Sequence, residues 1–319
     1  MIVASIPSPP PSWASFQIGI FTIHSYALCI LAGIVVATII TSRRLTGRGG
    51  QPGVVVDFAI CAVPIALVGA RAWHVFTHVP DYFGPTHAWW EPFAIWQGGN
   101  AIFGSVLGGA VGVLIASRWT GVRFLSFADA VAPGLLLAQA IGRIGNWFNT
   151  ELYGLPTTLP WGLQVPSSNP AFPAGLASGT LFHPTFLYEM IWNTAGAILI
   201  LLIERKVALR WGRALGAYLI WYGAGRSVFE SIRIDPTTVL AGLRVNIWAA
   251  FAAVLLGIVI ITWSRRRHPG LEAGVYRPGR QWVPDGPVES RYTAADFEED
   301  QDTDRTEAAP ATSGATTGR

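Results

Sequence analysis

The 319-residue chain has a mean hydropathy of +0.41 and 13% charged residues, about half the charged share of an ordinary soluble domain. Lipid is the solvent this composition implies, and it gives no sign of a nucleic-acid partner. The net charge of +3 hides an asymmetry: residues 285–319 hold nine acidic residues and three arginines, leaving nineteen basic against ten acidic residues elsewhere, a body of +9 and a tail of −6. A basic body suits an anionic membrane surface or an anionic substrate. Cys29 and Cys61 lie inside apolar runs without CxxC spacing, which reads as core cysteine and supports neither a disulfide framework nor a metal site. No cofactor is implied.

Residues 1–15 are rich in Pro and Ser and lack the charged start of a cleavable signal peptide, so no cleavage is expected. Seven apolar runs follow, at about 19–41, 57–76, 99–117, 126–147, 184–203, 214–232 and 245–263, each near the roughly 20 residues a spanning helix needs. The expected fold is an all-α integral membrane protein with seven transmembrane helices. Basic residues sort to alternate connections. Arg43, Arg44 and Arg48 follow the first run, Arg118 and Arg123 the third, Arg205, Lys206, Arg210 and Arg213 the fifth, and Arg265, Arg266 and Arg267 the seventh. The positive-inside rule then places the N-terminus outside and the C-terminus in the cytoplasm. Residues 148–183 form the longest connection, and a loop of that length is usually functional. From His268 onward apolar periodicity stops. The expected organisation is a membrane catalytic domain over 1–267 and a disordered acidic cytoplasmic tail over 268–319.

Polar residues inside the runs gather at one level. The segment 142–154, GRIGNWFNTELYG, closes the fourth run; on a helix Gln139, Arg143 and Asn146 share a face, and Gly134, Ala138 and Gly142 form a small-residue stripe that admits a close neighbour. Counted at 1.5 Å per residue from the inner ends, Arg71, Arg143 and Arg226 lie about 21, 25 and 18 Å up their helices, in the outer half of a hydrocarbon core roughly 30 Å thick. His24 and Tyr26 open the first run at that level, His183, Tyr188 and Glu189 the fifth, and the turn at Gly98, Gly99 and Asn100 the third. A central arginine costs something like 2.5–3.5 kcal/mol on insertion scales. Three at a shared level call for an anion, and the planar fork of Arg suits phosphate. Any one of them could instead pair with Glu189 or Glu230 as structural glue. The nearby carboxylates look too few to neutralise all three. Taken singly, Tyr26 and Tyr188 also fit an interfacial aromatic belt.

These residues carry a resemblance. GRIGNWFNTELYG, with IHSYAL (23–28), GAR (69–71), IWQGGNAIFG (95–104), HPTFLYE (183–189) and YGAGRSVFESIRID (222–235), resembles the signature set of the prolipoprotein diacylglyceryl transferases, over residues 20 to about 263. The Arg-rich composition and acidic tail resemble actinobacterial members. The resemblance implies a multi-pass enzyme of the bacterial cytoplasmic membrane whose active site opens toward the outer leaflet. It implies transfer of diacylglyceryl from phosphatidylglycerol to the lipobox cysteine of a prolipoprotein signal peptide, with formation of a thioether and release of glycerol-1-phosphate. Its partners would be those two substrates and the surrounding membrane lipids. Family functional residues match at Tyr26, Arg143, Asn146, Glu151, Gly154 and Arg226. Phe103 departs from the pattern, standing where many members carry a histidine considered as a base.

On this reading Arg143 and Arg226 clamp the phosphate as charge develops, and Tyr26 and Asn146 hold headgroup oxygens. Glu151, ranked above His24, takes the thiol proton. Arg71, His24, Gly98, Gly99, Gly154, His183, Tyr222 and Glu230 are assigned to substrate binding. The alternative is an anionic-lipid transporter or flippase, although transporters usually place their site near the midplane within inverted repeats.

Overall fold

The computed structural model describes residues 5–19, 21–84, 87–99, 101–270 and 272–283. Seven long helices dominate: α1 (Ser25–Thr46), α2 (Val54–Thr77), α3 (Ile102–Thr120), α4 (Phe124–Asn149), α5 (Thr185–Lys206), α6 (Arg213–Ile232) and α7 (Val245–Arg267). Six are long and apolar enough to cross a membrane, which fits a multi-pass membrane protein; α6 falls outside that group. Arg213, Arg226 and Glu230, together with three glycines, dilute its apolar content. The helices overrun the apolar stretches at their basic ends. Arg43 and Arg44, Arg205 and Lys206, and Arg265 to Arg267 all sit in last turns, where cations meet the negative end of the helix dipole.

Two expectations change. The first run does not begin as helix at 19: β1 (Ser15–Ile18) and β2 (Phe21–His24) form an antiparallel hairpin with Ser15 opposite His24. Gly19 supplies the positive φ (60°) its turn requires. The tail also starts later than 268. Val275 and Tyr276 are buried, and their strand of chain lies along the α3–α4 turn. Arg123 N–H donates to the Val275 carbonyl (2.8 Å) and Arg277 N–H to the Gly121 carbonyl (2.9 Å), while the Tyr276 hydroxyl accepts from Gln51 N–H (2.8 Å). Two apolar side chains in an otherwise polar stretch suffice to fasten it, and the compact unit runs Met1–Gln281. The rest of the disordered-tail expectation, 284–319, lies outside the described residues.

Helix pairs α1–α4, α2–α3 and α6–α7 make the most extensive contacts, with α4 also packed on α5 and α6. Small residues set the approach. A Cβ on Gly134 would lie 3.1 Å from the Ala37 backbone, and one on Gly33 3.0 Å from the Ala138 carbonyl, whereas Gly142 faces open space. Two members of the expected stripe therefore meet α1 and the third does not. Between α5 and α6 two tryptophans clasp. Trp192 Nε1–H donates to the Trp221 carbonyl (3.0 Å), Trp221 Nε1–H donates to the Trp192 carbonyl (2.9 Å), and the rings stack at 4.3 Å.

Beyond these helix ends, 148–183 contains a small sheet, β3 (Pro156–Thr157), β4 (Leu163–Gln164) and β5 (Leu181–Phe182), in the order β3-β5-β4. It covers an apolar cluster of Tyr153, Leu163, Val165 and Phe182, packed by Ile6, Trp147, Phe172 and Phe186. A hairpin, β6 (Val239–Leu240) and β7 (Leu243–Arg244), links α6 to α7.

The α2–α3 contact is the tightest test of this packing. A Cβ on Gly104 would lie 2.1 Å from the Gly69 carbonyl oxygen, while one on Gly109 would meet Ala66 at 3.7 Å. Gly104→Leu is expected to lower stability by about 1–3 kcal/mol or more as the backbones separate. Gly109→Ala should be near neutral. Thermal unfolding of both variants in one detergent checks the difference.

Candidate functional site

α4 ends at Asn149, and Thr150 caps it in the left-handed region (φ 50°). Leu152 follows at φ 59°. The turn brings Glu151 back beneath the last helical turn, its N–H on the Asn146 carbonyl (3.1 Å). A chain of side chains follows. Arg143 Nη1 donates to Asn146 Oδ1 (3.0 Å), and Asn146 Nδ2 donates to Glu151 Oε1 (2.9 Å), which also accepts Asn149 Nδ2 (3.2 Å). Arg143 Nη2 pairs with Glu189 Oε2 on α5 at 2.5 Å. From α1, the Tyr26 ring lies against Gly145, where a Cβ would come within 2.4 Å of it. The structure thus brings together Tyr26, Arg143, Asn146 and Glu151.

Gly154 shapes the backbone beside them. Its N–H donates to the His183 carbonyl (2.9 Å), and Leu155 N–H donates to the Ile232 carbonyl (2.8 Å). A Cβ there would crowd His183 at 2.9 Å and the Ile232 carbonyl at 3.0 Å. Three chain segments converge at one residue that must lack a side chain. His183 Nδ1 lies 3.2 Å from the Tyr188 hydroxyl, which accepts Trp161 Nε1 at 3.0 Å.

Arg226 belongs to a neighbouring cluster around Glu230, which is fully buried. Arg226 Nη2 lies 2.8 Å from Glu230 Oε2 and Arg233 Nη1 3.6 Å from it, but neither is in line for a hydrogen bond, so that oxygen is held by charge alone. The other oxygen accepts Arg244 Nε (2.8 Å) and Asn246 Nδ2 (2.9 Å). Asp235 accepts Arg233 Nε (2.6 Å) and Arg244 Nη2 (3.2 Å). Burial works against the Arg233 charge. The Asp235 hydrogen bond and the charges of Asp235, Glu230 and Glu189 overcome it, holding that guanidinium above its ordinary pKa.

The expected shortage of carboxylates does not hold. Arg143, Arg226, Arg233 and Arg244 are matched by Glu151, Glu189, Glu230 and Asp235, with Glu189 paired to Arg143 and Glu230 to Arg226. Arg71 stands apart from both. It is 4% exposed and gives its donors to the Pro92 (2.9 Å), Gly98 (2.6 Å), Gly99 (3.3 Å) and Glu91 (2.5 Å) carbonyls and the Tyr82 hydroxyl (3.0 Å). This guanidinium is solvated by loop backbone, and Gly98 and Gly99, at φ 85° and 68°, turn the chain to present those carbonyls. Asn100 lies outside the described residues. Tyr222 stacks on Tyr218, whose hydroxyl accepts Gln139 Nε2 (2.9 Å), and so serves α4–α6 packing. His24 is exposed just ahead of α1. Phe103 is exposed, 6.4 Å from Trp73 between ring centres. Among the described residues no group of three or more His, Cys, Asp or Glu is placed to hold a metal.

Sequence reasoning missed Arg233, Arg244, Asp235 and Asn246 as members of the site. The signal was there for Arg233, three residues past Glu230 on the same helix face. Nothing local marks Arg244 and Asn246, which arrive across the β6–β7 hairpin.

The family model described as prolipoprotein diacylglyceryl transferase matches residues 14–263. A relative from Leifsonia xyli subsp. xyli, named phosphatidylglycerol–prolipoprotein diacylglyceryl transferase, is 56% identical over 316 residues, covering 95% of each chain. One of the same name from Bifidobacterium longum is 47% identical over 274 residues, 82% of this chain and 85% of its own. One from Streptomyces coelicolor, named phosphatidylglycerol–prolipoprotein diacylglyceryl transferase 1, is 44% identical over 281 residues, 88% and 80% of the two chains.

The Glu230 cluster generates a stability prediction. Glu230→Ala leaves three arginines facing a buried void, and removing one partner of a buried ion pair costs about 3–5 kcal/mol. Unfolding in detergent should show that loss. A change under about 1 kcal/mol would place the carboxylate in a solvated setting instead.

Proposed function

The chain belongs to the prolipoprotein diacylglyceryl transferase family, and we infer that it is a transferase moving diacylglyceryl from phosphatidylglycerol to a prolipoprotein cysteine thiol. The carbon–sulfur bond of a thioether forms, the glycerol carbon–oxygen bond to phosphate breaks, and glycerol-1-phosphate leaves. The observation that carries the reading is the hydrogen-bonded series Arg143–Asn146–Glu151 beside Tyr26. It sets a cation, a neutral amide, a carboxylate and a phenol against one small region.

Each has work suited to its chemistry. The phosphodiester gains negative charge as it departs, and Arg143 and Arg226 stabilise that gain. Because both arginines already face carboxylates, the substrate phosphate competes with Glu189 and Glu230 for them. The competition weakens ground-state binding more than it weakens the hold on the leaving group, which is the differential that accelerates a reaction. Glu151 has one oxygen fixed by two amide donors; in this reading the other takes the thiol proton, since the thiolate is the nucleophile. His24 stands second for that role. Tyr26 and Asn146 hold headgroup oxygens. Glu230 fixes Arg226, Gly154 and His183 form the wall beside them, Tyr222 supports it from the helix core, and Arg71 with Gly98 and Gly99 orders the loop above. The catalytic unit is Met1–Gln281.

We propose further that all seven helices span a bacterial plasma membrane, with the N-terminus outside, the C-terminus cytoplasmic and the site open toward the outer leaflet, where the phosphate of the lipid lies. The arginine-rich connections support this orientation. A cysteine at Ser168, in a background lacking Cys29 and Cys61, is expected to react with an impermeant thiol reagent on intact cells, and one at Ser313 is not. The reverse pattern overturns the orientation.

The clamp is tested by Arg143→Lys and Arg226→Lys, which keep the charge and lose the planar fork. Turnover of phosphatidylglycerol and a lipobox peptide is expected to fall on the order of 10²–10³-fold in each, with thermal stability little changed. Near-wild-type turnover in both means that pairing with Glu189 and Glu230 is the arginines' whole role. Arg71→Lys, as the comparison, should act through loop order and alter KM more than kcat.

A further inference from the structure

The sheet beside the Arg143 series ends at β4, and residues 5–8 of the same chain cover its outer edge. Ile6 N–H donates to the Gly162 carbonyl (2.9 Å) and Gln164 N–H donates to the Ile6 carbonyl (2.8 Å), a parallel bridge opposite Leu163. Around it, Gln164 Nε2 donates to Ser5 Oγ (2.6 Å), the Ser8 hydroxyl donates to the Gln164 carbonyl, and Trp147 Nε1 donates to the Pro7 carbonyl (3.1 Å). The Ile6 side chain packs into the apolar cluster of Leu163 and Trp147.

This is a poor strand. Ser8, the next residue in register, meets the Gln164 carbonyl with its hydroxyl, and Pro10 after it has no N–H, so backbone pairing toward the C-terminal side stops after one bridged residue. An extended peptide would keep the two bonds to Gly162 and Gln164 and add a backbone N–H to the Gln164 carbonyl, the usual basis of strand addition. The edge also leads to the reacting groups. Trp147 follows Asn146, and Tyr153, two residues past Glu151, packs against Leu163. The covering segment continues through a short turn at Pro11–Trp13 to Ala14, whose carbonyl accepts Ser25 N–H (2.9 Å), one residue before Tyr26.

We propose that the outer edge of β4 is the seat of an extended peptide, the prolipoprotein segment flanking the target cysteine, and that residues 5–8 occupy it as a replaceable strand. The inference rests on the reading that one substrate is a peptide. Ile6 then holds an apolar pocket that a peptide side chain takes over, and the backbone of Gly162 and Gln164 supplies the hydrogen bonds.

A reversible lock tests it. Ile6→Cys with Leu163→Cys, in a background with Cys29→Ala and Cys61→Ala, ties the strand to the edge under oxidation and frees it on reduction. The probe is a fluorescent prolipoprotein-derived peptide with serine in place of its target cysteine, followed by anisotropy in phosphatidylglycerol micelles. Binding is expected to be about tenfold weaker in the oxidised than in the reduced sample, because only the open fraction is competent. Ile6→Pro, which removes the N–H donated to Gly162, should tighten binding several-fold in the unlocked protein. Equal affinity in the oxidised and reduced samples, or weaker binding in Ile6→Pro, overturns the seat. Failure of the wild-type enzyme to lipidate a cysteine peptide is a separate result, and it would count against the transferase reading instead.

Discussion

One buried carboxylate organises the end of the molecule where the site lies. Glu230 has no exposed surface, and a charge so placed persists only if it is matched closely. Arg226 comes from its own helix, Arg233 from the helix cap, and Arg244 from the end of β7. Each solves part of the same desolvation problem, and together they bind α6, the α6–α7 connection and the start of α7 into one body. Arg143 is held separately, by Glu189 on α5. The residues proposed to face substrate thus share this end of the molecule with ion pairs whose role is structural.

Close helix packing makes such a network dependable. The glycine contacts of α1 with α4 and the Trp192–Trp221 clasp between α5 and α6 leave little freedom for sliding or rotation. A Cβ on Gly225 would strike the Trp192 indole at 2.2 Å, and Gly225 immediately precedes Arg226. The clasp thus sets the rotation of the very turn that carries this arginine. Preorganisation of that kind separates a stabilising dipole from a merely nearby charge.

Much of this was legible in sequence, for particular reasons. Arg143 and Asn146 are one turn apart and Glu151 lies just past a helix end, so helical geometry alone placed them together. The seven apolar runs marked the seven helices because lipid demands unbroken backbone pairing. What escaped was non-local. Arg71 looked like a third ligand for an anion because depth was its only visible attribute. Its true partners are carbonyls about twenty to thirty residues onward, and backbone acceptors leave no trace in side-chain identity. Residues 19–24 looked like helix because hydropathy does not distinguish a short apolar hairpin from a helical turn. Val275 and Tyr276 were lost in a polar average, although two buried side chains decide where the compact unit ends.

The modest hydropathy of α6 bears on how the protein is made. A segment carrying Arg226 and Glu230 partitions poorly from the translocon into lipid by itself, each central charge weighing something like 2.5–3.5 kcal/mol against entry. Their i,i+4 pairing lets the helix carry a dipole instead of two separate ions, which eases entry without completing it. The remaining help is in the neighbours on either side: the α5 clasp, synthesised just before, and Arg244 and Asn246, synthesised just after. On the seven-span proposal, α6 is thus a helix whose residence in the bilayer is granted by its companions, and Arg226 enters the membrane only as part of an assembly.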